Sequence, residues 1–149
     1  GNTGKWRGHK GQFYEGGIRV PMIVRYPQEL RGGLVRDQAV TAMDVMPTVL
    51  DWCGVTRPAG VELDGQTLGP IIKNDTSSDY GVMHWAWGDG WAVREGDWKL
   101  IGRGEKPLEL VNIAEDDPER TNHLADQPEM VERLQLRYKA WVENVTPSN

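Results

Sequence analysis

Three glycine-bearing turns in the second half of the chain constrain its fold more than any other feature. Gly88-Asp89-Gly90, Glu95-Gly96-Asp97 and Gly104-Glu105-Lys106-Pro107 separate short β-prone runs at 80–87, 91–94, 97–103 and 108–112. Runs this short, joined by turns this tight, predict an antiparallel meander in which each strand doubles back on its neighbour. Trp98 and Leu100 flank the polar Lys99, an alternation that predicts one covered face. The predicted cover is a helix over 128–145, where Val131, Leu134, Tyr138, Trp141, Val142 and Val145 make a single stripe. Pro128 suits its first position, with Asp126 or Gln127 as the cap. A charged connector, 114–126, joins sheet and helix.

The first half lacks this β pattern. Residues 1–11 are polar and Gly-rich, with Arg7, His9 and Lys10 close together, and read as a loop. Lys10 to Pro21 then sets a cation, a carboxylate and a glycine pair (Lys10, Glu15, Gly16, Gly17) before an apolar run. Adjacent glycines permit positive φ or close backbone approach, so the stretch suits a loop that turns Lys10 and Glu15 toward a ligand. Val20, Met22, Ile23 and Val24 predict an interior strand over 19–26, closed by Pro27. Apolar residues at 46, 49, 50 and 53 follow helical spacing, with Asp44 as N-cap, Pro47 in the first turn and Gly54 at the end. Residues 68–73 predict one short helical turn, and the polar stretch 74–79 marks a boundary. The expected organisation is 1–75 followed by a subdomain over 76–149, an α+β arrangement in this chain.

Composition excludes several functions. A formal net charge of -5 over 149 residues, with no basic stripe, argues against nucleic-acid binding. No apolar run approaches the ~20 residues of a membrane span. Cys53 is the only cysteine, so no internal disulfide or Cys-rich metal site forms, and it reads as a small buried apolar residue. Seven Trp against one Phe read as core and interface anchors, with sugar stacking by Trp85, Trp87 and Trp91 as a second reading.

Taken in order, these segments resemble a known family. Arg7-Gly8-His9-Lys10-Gly11-Gln12-Phe13-Tyr14-Glu15-Gly16-Gly17-Ile18-Arg19-Val20-Pro21 is similar to the Lys-x-x-x-x-Glu-Gly-Gly-x-Arg-x-Pro signature near the end of the catalytic domain of type I sulfatases. Met43 to Leu50 resembles the family's Asp-Leu-Leu-Pro-Thr helix, and Asp64-Gly65-Gln66-Thr67-Leu68 its Asp-Gly-x-x-Leu segment. Ala92 to Ile101, Leu108-Glu109-Leu110, Asp117-Pro118-Glu119 and Asn122-His123-Leu124 resemble its C-terminal sheet and connector. An ordered series over nearly the whole chain is more specific than any one motif.

The resemblance implies an alkaline phosphatase-like α/β fold, of which 1–75 would be the end of the catalytic domain and 76–149 a small antiparallel sheet packed on a C-terminal helix. It implies sulfate ester hydrolysis by a formylglycine made from Cys or Ser, with calcium polarising the sulfate. Lys10 corresponds to the family's sulfate-binding lysine. Glu15, Gly16, Gly17 and Arg19 are expected to shape the loop. Outside the family pattern, His9 is a candidate substrate contact by its adjacency to Lys10; His84 is another by its place at the start of the Trp-rich strand, with a packing role as its other reading. This chain has no Cys/Ser-x-Pro-x-Arg motif, and the family's metal ligands precede the lysine. Calcium is therefore expected to be held upstream, with no metal held by these residues, and the chain is expected to be inactive alone. The implied partners are a sulfated small molecule or glycan and the remainder of the catalytic domain. A periplasmic or secreted location follows if the parent keeps the common bacterial pattern. Two alternatives stay open: a non-catalytic binding module on this scaffold, and a phosphoesterase or phosphonate hydrolase of the same superfamily.

Overall fold

A computed structural model describes residues 2–78 and 80–146. In chain order its elements are α1 (Glu15–Ile18), a 3-10 turn (Ala42–Asp44), α2 (Val45–Trp52), α3 (Gly69–Asn74), β1 (Val82–Trp87), β2 (Gly90–Glu95), β3 (Trp98–Arg103), β4 (Lys106–Asn112) and α4 (Pro128–Val145). They fall into two compact units. One joins residues 1–21 to 81–149, and the other is Met22–Tyr80.

The first unit is built on the predicted meander. The four strands lie in the order β1-β2-β3-β4, each antiparallel to the next. Trp87 pairs with Gly90, Glu95 with Trp98 and Arg103 with Lys106, so every connection is a two-residue turn. Its first residue is Gly88, Gly96 or Gly104, with φ of 60°, 59° and 54°. Glycine is needed there because a type II′ turn places its first residue in left-handed space, and that hand matches the twist of the strands.

The sheet is covered on both faces, not one. On one face Trp91, Val93, Leu100 and Leu110 pack with Leu134 of α4, flanked by Trp98, Met130, Val131 and Tyr138. On the other face Ala92, Ile101 and Val111 pack against Phe13 and Tyr14 from the N-terminal loop and against Trp85. Strand alternation sends Lys99 to this second face, where it is 0% exposed. What reads in sequence as a solvent-facing position is therefore interior, because a segment 84 residues upstream in sequence covers it. The outer edge of β4 is also occupied. The backbone N–H of His123 donates to the Leu110 carbonyl at 2.7 Å, and the Leu110 N–H donates to Asn122 Oδ1 at 3.1 Å.

In the second unit, Asp44 stands at the N-cap of α2 as predicted, but its side chain makes no capping bond to that helix and serves the preceding 3-10 turn. It closes a capping box with Thr41 around the 3-10 turn, accepting the Thr41 N–H at 2.6 Å. It also accepts the Gln66 N–H at 2.9 Å and the Tyr80 hydroxyl. Thr48, the buried residue of α2, donates its hydroxyl to the Asp44 carbonyl at 2.6 Å and accepts the Leu68 N–H at 2.9 Å. A Cβ at Gly65 would sit 2.2 Å from the Met43 carbonyl oxygen, so the Asp64-Gly65 pair permits a close backbone crossing.

Two predictions for this region need correction. Residues 19–26 form no strand, and Val20 and Ile23 are 79% and 95% exposed. A strand needs a neighbouring strand to hydrogen-bond, and among the described residues none pairs its backbone with this run, although the Tyr26 ring stacks on Trp52. The apolar face of α2 is likewise open: Met46 and Val49 are half exposed, and Cys53 is exposed, not buried.

Trp91 makes the sheet's packing testable. Its indole N–H donates to the Gly104 carbonyl at 2.8 Å, and its ring stacks on Tyr138 with centroids 4.2 Å apart. The ring lies over its cross-strand partner Gly102, where an added Cβ would come within 2.1 Å of it. Gly102→Ala is expected to cost about 1–3 kcal/mol in denaturant unfolding through overpacking. Gly81→Ala, whose Cβ meets nothing within 4 Å, should change stability by less than ~0.5 kcal/mol. Equal effects of the two would refute this account of Gly102.

Candidate functional site

Lys10 occupies a tight turn whose backbone is fixed from both sides. The Gln12 N–H donates to the His9 carbonyl at 3.0 Å, and Gln12 Oε1 accepts the His9 N–H at 3.1 Å. Gly11, at φ 91°, supplies the left-handed residue. The Lys10 side chain is exposed and, among the described residues, has no hydrogen-bond or ion-pair partner. An exposed, unpaired ammonium on a fixed backbone is suited to meet an anion.

The glycine pair acts through close approach. Neither Gly16 nor Gly17 has positive φ, but a Cβ on Gly16 would fall 2.6 Å from the Arg7 and Gly8 carbonyl oxygens, and one on Gly17 would fall 2.1 Å from that of Gln12. Removing both side chains lets α1 lie directly against the preceding loop. The Gly16 N–H donates to the Arg7 carbonyl at 2.8 Å.

Glu15 anchors this turn in the interior. It is 3% exposed, and its Oε1 accepts a hydrogen bond from Lys99 Nζ at 2.6 Å. Lys99 also donates to Glu119 Oε1 at 2.7 Å and to the Phe13 carbonyl at 3.2 Å. Glu119 Oε2 accepts the Glu15 backbone N–H at 2.8 Å. Arg19 completes the group, with its guanidinium 3.5 Å from Glu15 Oε2 and 4.4 Å from the centre of the Trp6 ring. Glu119 holds φ 62°, an uncommon value for a residue with a side chain.

A second polar cluster holds the other end of the loop. Arg7 donates to both carboxylate oxygens of Glu109, at 2.6 and 3.2 Å, and to the Glu119 carbonyl at 2.7 Å. Its guanidinium lies 3.9 Å from the centre of the Tyr14 ring, and the Tyr14 hydroxyl donates to Glu109 Oε1 at 2.7 Å. Burial, with help from the bond to Glu109, pushes the Tyr14 hydroxyl up to about 12, so it stays a donor throughout the neutral range. For Glu109, burial works to raise the pKa, but the Arg7 and Tyr14 hydrogen bonds outweigh it and hold the carboxyl below its ordinary value.

The other candidate residues are distributed unevenly. His9 is exposed and adjoins Lys10. His84 is not brought to the loop: it lies on the opposite, helix-covered face, where its ring stacks on Trp141 with centroids 5.0 Å apart and planes 4° apart. Burial there lowers its pKa. Trp91 is buried, and Trp85 packs over the sheet with Lys99 Nζ 6.0 Å from its ring centre. Trp87 differs from both. It is 74% exposed, and its ring edge lies 3.8 Å from where a Cβ on Gly11, the residue after Lys10, would stand. Among the described residues no group of three or more His, Cys, Asp or Glu side chains gathers to hold a metal, and no helix is long and apolar enough to cross a membrane.

Residues 4–145 match the family described as N-sulphoglucosamine sulphohydrolase, C-terminal. A steryl-sulfatase of Mus musculus is 43% identical over 75 residues, covering 50% of this chain and 12% of the relative. A sulfatase of Formosa agariphila is 27% identical over 172 aligned positions, covering 99% of this chain and 31% of the relative. The chain thus spans about a third or less of these relatives. A crystal structure of Ps i-CgsB in complex with k-i-k-neocarrahexaose superposes with a TM-score of 0.75 at 23% identity, covering 91% of this chain and 31% of that one. With residues 4–145 matched to that C-terminal family and this superposition, the fold is that of the C-terminal part of a sulfatase.

The Glu109 tie has a pH signature. A carboxyl depressed in the folded state contributes stability that is present above its unfolded value of 4.5 and is lost as pH falls through the lower folded value. Glu109→Gln is expected to lower the thermal midpoint at pH 7 and to flatten its fall below pH 4.5. Parallel acid limbs for the two proteins would show that Glu109 does not carry this linkage.

Proposed function

We propose a function from one premise: this chain belongs to the N-sulphoglucosamine sulphohydrolase C-terminal family. The full-length protein is then a sulfatase that hydrolyses sulfate esters of a carbohydrate or aryl compound. This chain supplies a sulfate-binding lysine and part of the substrate cleft and is inactive alone. The observation that carries the reading is Lys10, exposed and unpaired on a turn that is clamped to the sheet. A fixed ammonium of this kind neutralises charge on the sulfuryl oxygens, and on the leaving oxygen as the ester bond breaks, without reorganising during the reaction.

Formylglycine and calcium would supply the nucleophile and the Lewis acid. The described residues offer no cluster for the metal, so its ligands are assigned to the remainder of the catalytic domain and no step of this chain passes through it. That remainder is also the proposed cover for the exposed apolar residues Val20, Ile23, Met46 and Val49. Trp87 is proposed as a stacking wall for the ring that bears the sulfate, supported by its exposure beside Gly11. That a structural neighbour forms a complex with k-i-k-neocarrahexaose supports a carbohydrate as the substrate class.

Lys10→Ala in the full-length protein is expected to lower turnover of carbohydrate and aryl sulfates by about 100-fold or more, the scale of losing one oxyanion donor. Unchanged turnover would remove Lys10 from the site, and faster turnover of the matched phosphate ester would favour a phosphoesterase. Trp87→Ala should raise KM about 2- to 10-fold, the worth of one ring contact, with kcat changed less. A fall in kcat alone would argue against stacking.

A further inference from the structure

We propose that Lys99 is a positioning residue for Lys10, so that the C-terminal sheet is a working part of the sulfate site. The inference rests on the proposed sulfatase function and extends it to a residue 89 positions away in sequence. Lys99 is 0% exposed, as is Glu119, and Glu15 is 3% exposed. Burying three ionised groups is costly even when they pair, and apolar residues of similar volume often serve stability as well or better. A cluster like this makes sense where geometry has to be specified.

The hydrogen bonding shows which geometry is specified. An ammonium has three donors, and those of Lys99 go to the Phe13 carbonyl, Glu15 Oε1 and Glu119 Oε1. The first two acceptors belong to the segment that follows Lys10, three and five residues further along the chain. Glu119 returns to the same segment through the Glu15 N–H. Every acceptor of Lys99 therefore either lies in the loop or is itself bound to the loop. Lys99 stands on β3, paired with Arg94 of β2 and Val111 of β4, in the middle of the sheet. A central strand is among the most rigid platforms in a small fold. The loop's position is thus read out from the sheet by one ammonium, and a displacement of about 1 Å in a catalytic group is enough to cost roughly 100-fold in rate.

The test is a double-mutant cycle in the full-length protein. Lys99→Arg keeps the charge but substitutes a planar fork for three divergent donors. It is expected to lower kcat/KM for a carbohydrate sulfate about 10- to 100-fold and to weaken competitive inhibition by inorganic sulfate, while the protein stays folded by thermal melt. In the Lys10→Ala background the same change should cost little further, because a positioning residue has nothing left to position. Glu119→Gln keeps the shape, but its single amide oxygen can accept from the Glu15 N–H or from Lys99, not both, so it breaks one tie between Lys99 and the loop; it should show the same non-additivity and covers the case in which Lys99→Arg fails to fold. Full additivity of either variant with Lys10→Ala, or unchanged activity and sulfate inhibition, would overturn the inference. Unchanged turnover in Lys10→Ala alone would instead refute the sulfate-binding role of Lys10 on which the inference rests.

Discussion

The buried contact of Lys99 with Glu15 and Glu119 is the interaction on which the rest of this structure depends. It joins three parts of the chain: the N-terminal loop, the third strand and the connector that precedes α4. None of the three groups has water to fall back on, so each must find its partners within the protein. Glu15 fixes the loop, Glu119 fixes the connector, and Lys99 fixes both to the sheet. Arg7 supports the same arrangement from the side, bridging Glu109 on β4 and the Glu119 carbonyl.

This contact explains why a four-stranded sheet is covered twice. The helix-covered face is ordinary hydrophobic packing, with Leu134 among Trp91, Val93, Leu100 and Leu110. The opposite face has only Ala92, Ile101 and Val111 as fully buried apolar residues, too few to hold a loop by area alone. Phe13 and Tyr14 add some apolar area, and charged hydrogen bonds set the register. Gly90 shows how tightly the loop is seated, since a Cβ there would come 2.8 Å from the Phe13 ring. The face that carries these charged hydrogen bonds is thereby the one on which the Lys10 loop is seated, and among the described residues Glu15 is paired with Lys99 and Arg19 and not with Lys10.

Much of the fold was legible in the order of residues. The meander followed from glycine-bearing turns, and α4 runs over the predicted bounds, because both depend on local φ preferences and on one-dimensional periodicity. The Lys10-to-Pro21 stretch was legible as a unit for the same reason. Lys99 was not, since a lysine between two apolar strand residues has the pattern of a solvent-facing position. His84 reads as a site candidate by composition, yet strand parity sends it to α4 and Trp141. Asp44 was legible as a cap but not as the acceptor for Gln66 and Tyr80, both more than twenty residues away.

The run Val20 to Val24 marks the limit most clearly. Its composition specifies a strand, but a strand is completed only by hydrogen bonds from a neighbour, and none of the described residues provides them. The sequence by itself determined the turns, the amphipathic helix and the family signature around Lys10, all of which follow from local backbone preference and side-chain spacing. Only the tertiary structure decided that Lys99, Glu15 and Glu119 share one buried site, and that Trp87 rather than Trp85 or Trp91 is exposed beside Gly11 of the Lys10 turn. The reason is physical: the energy of a buried charge depends on which groups surround it in space, and sequence separation carries no information about that distance.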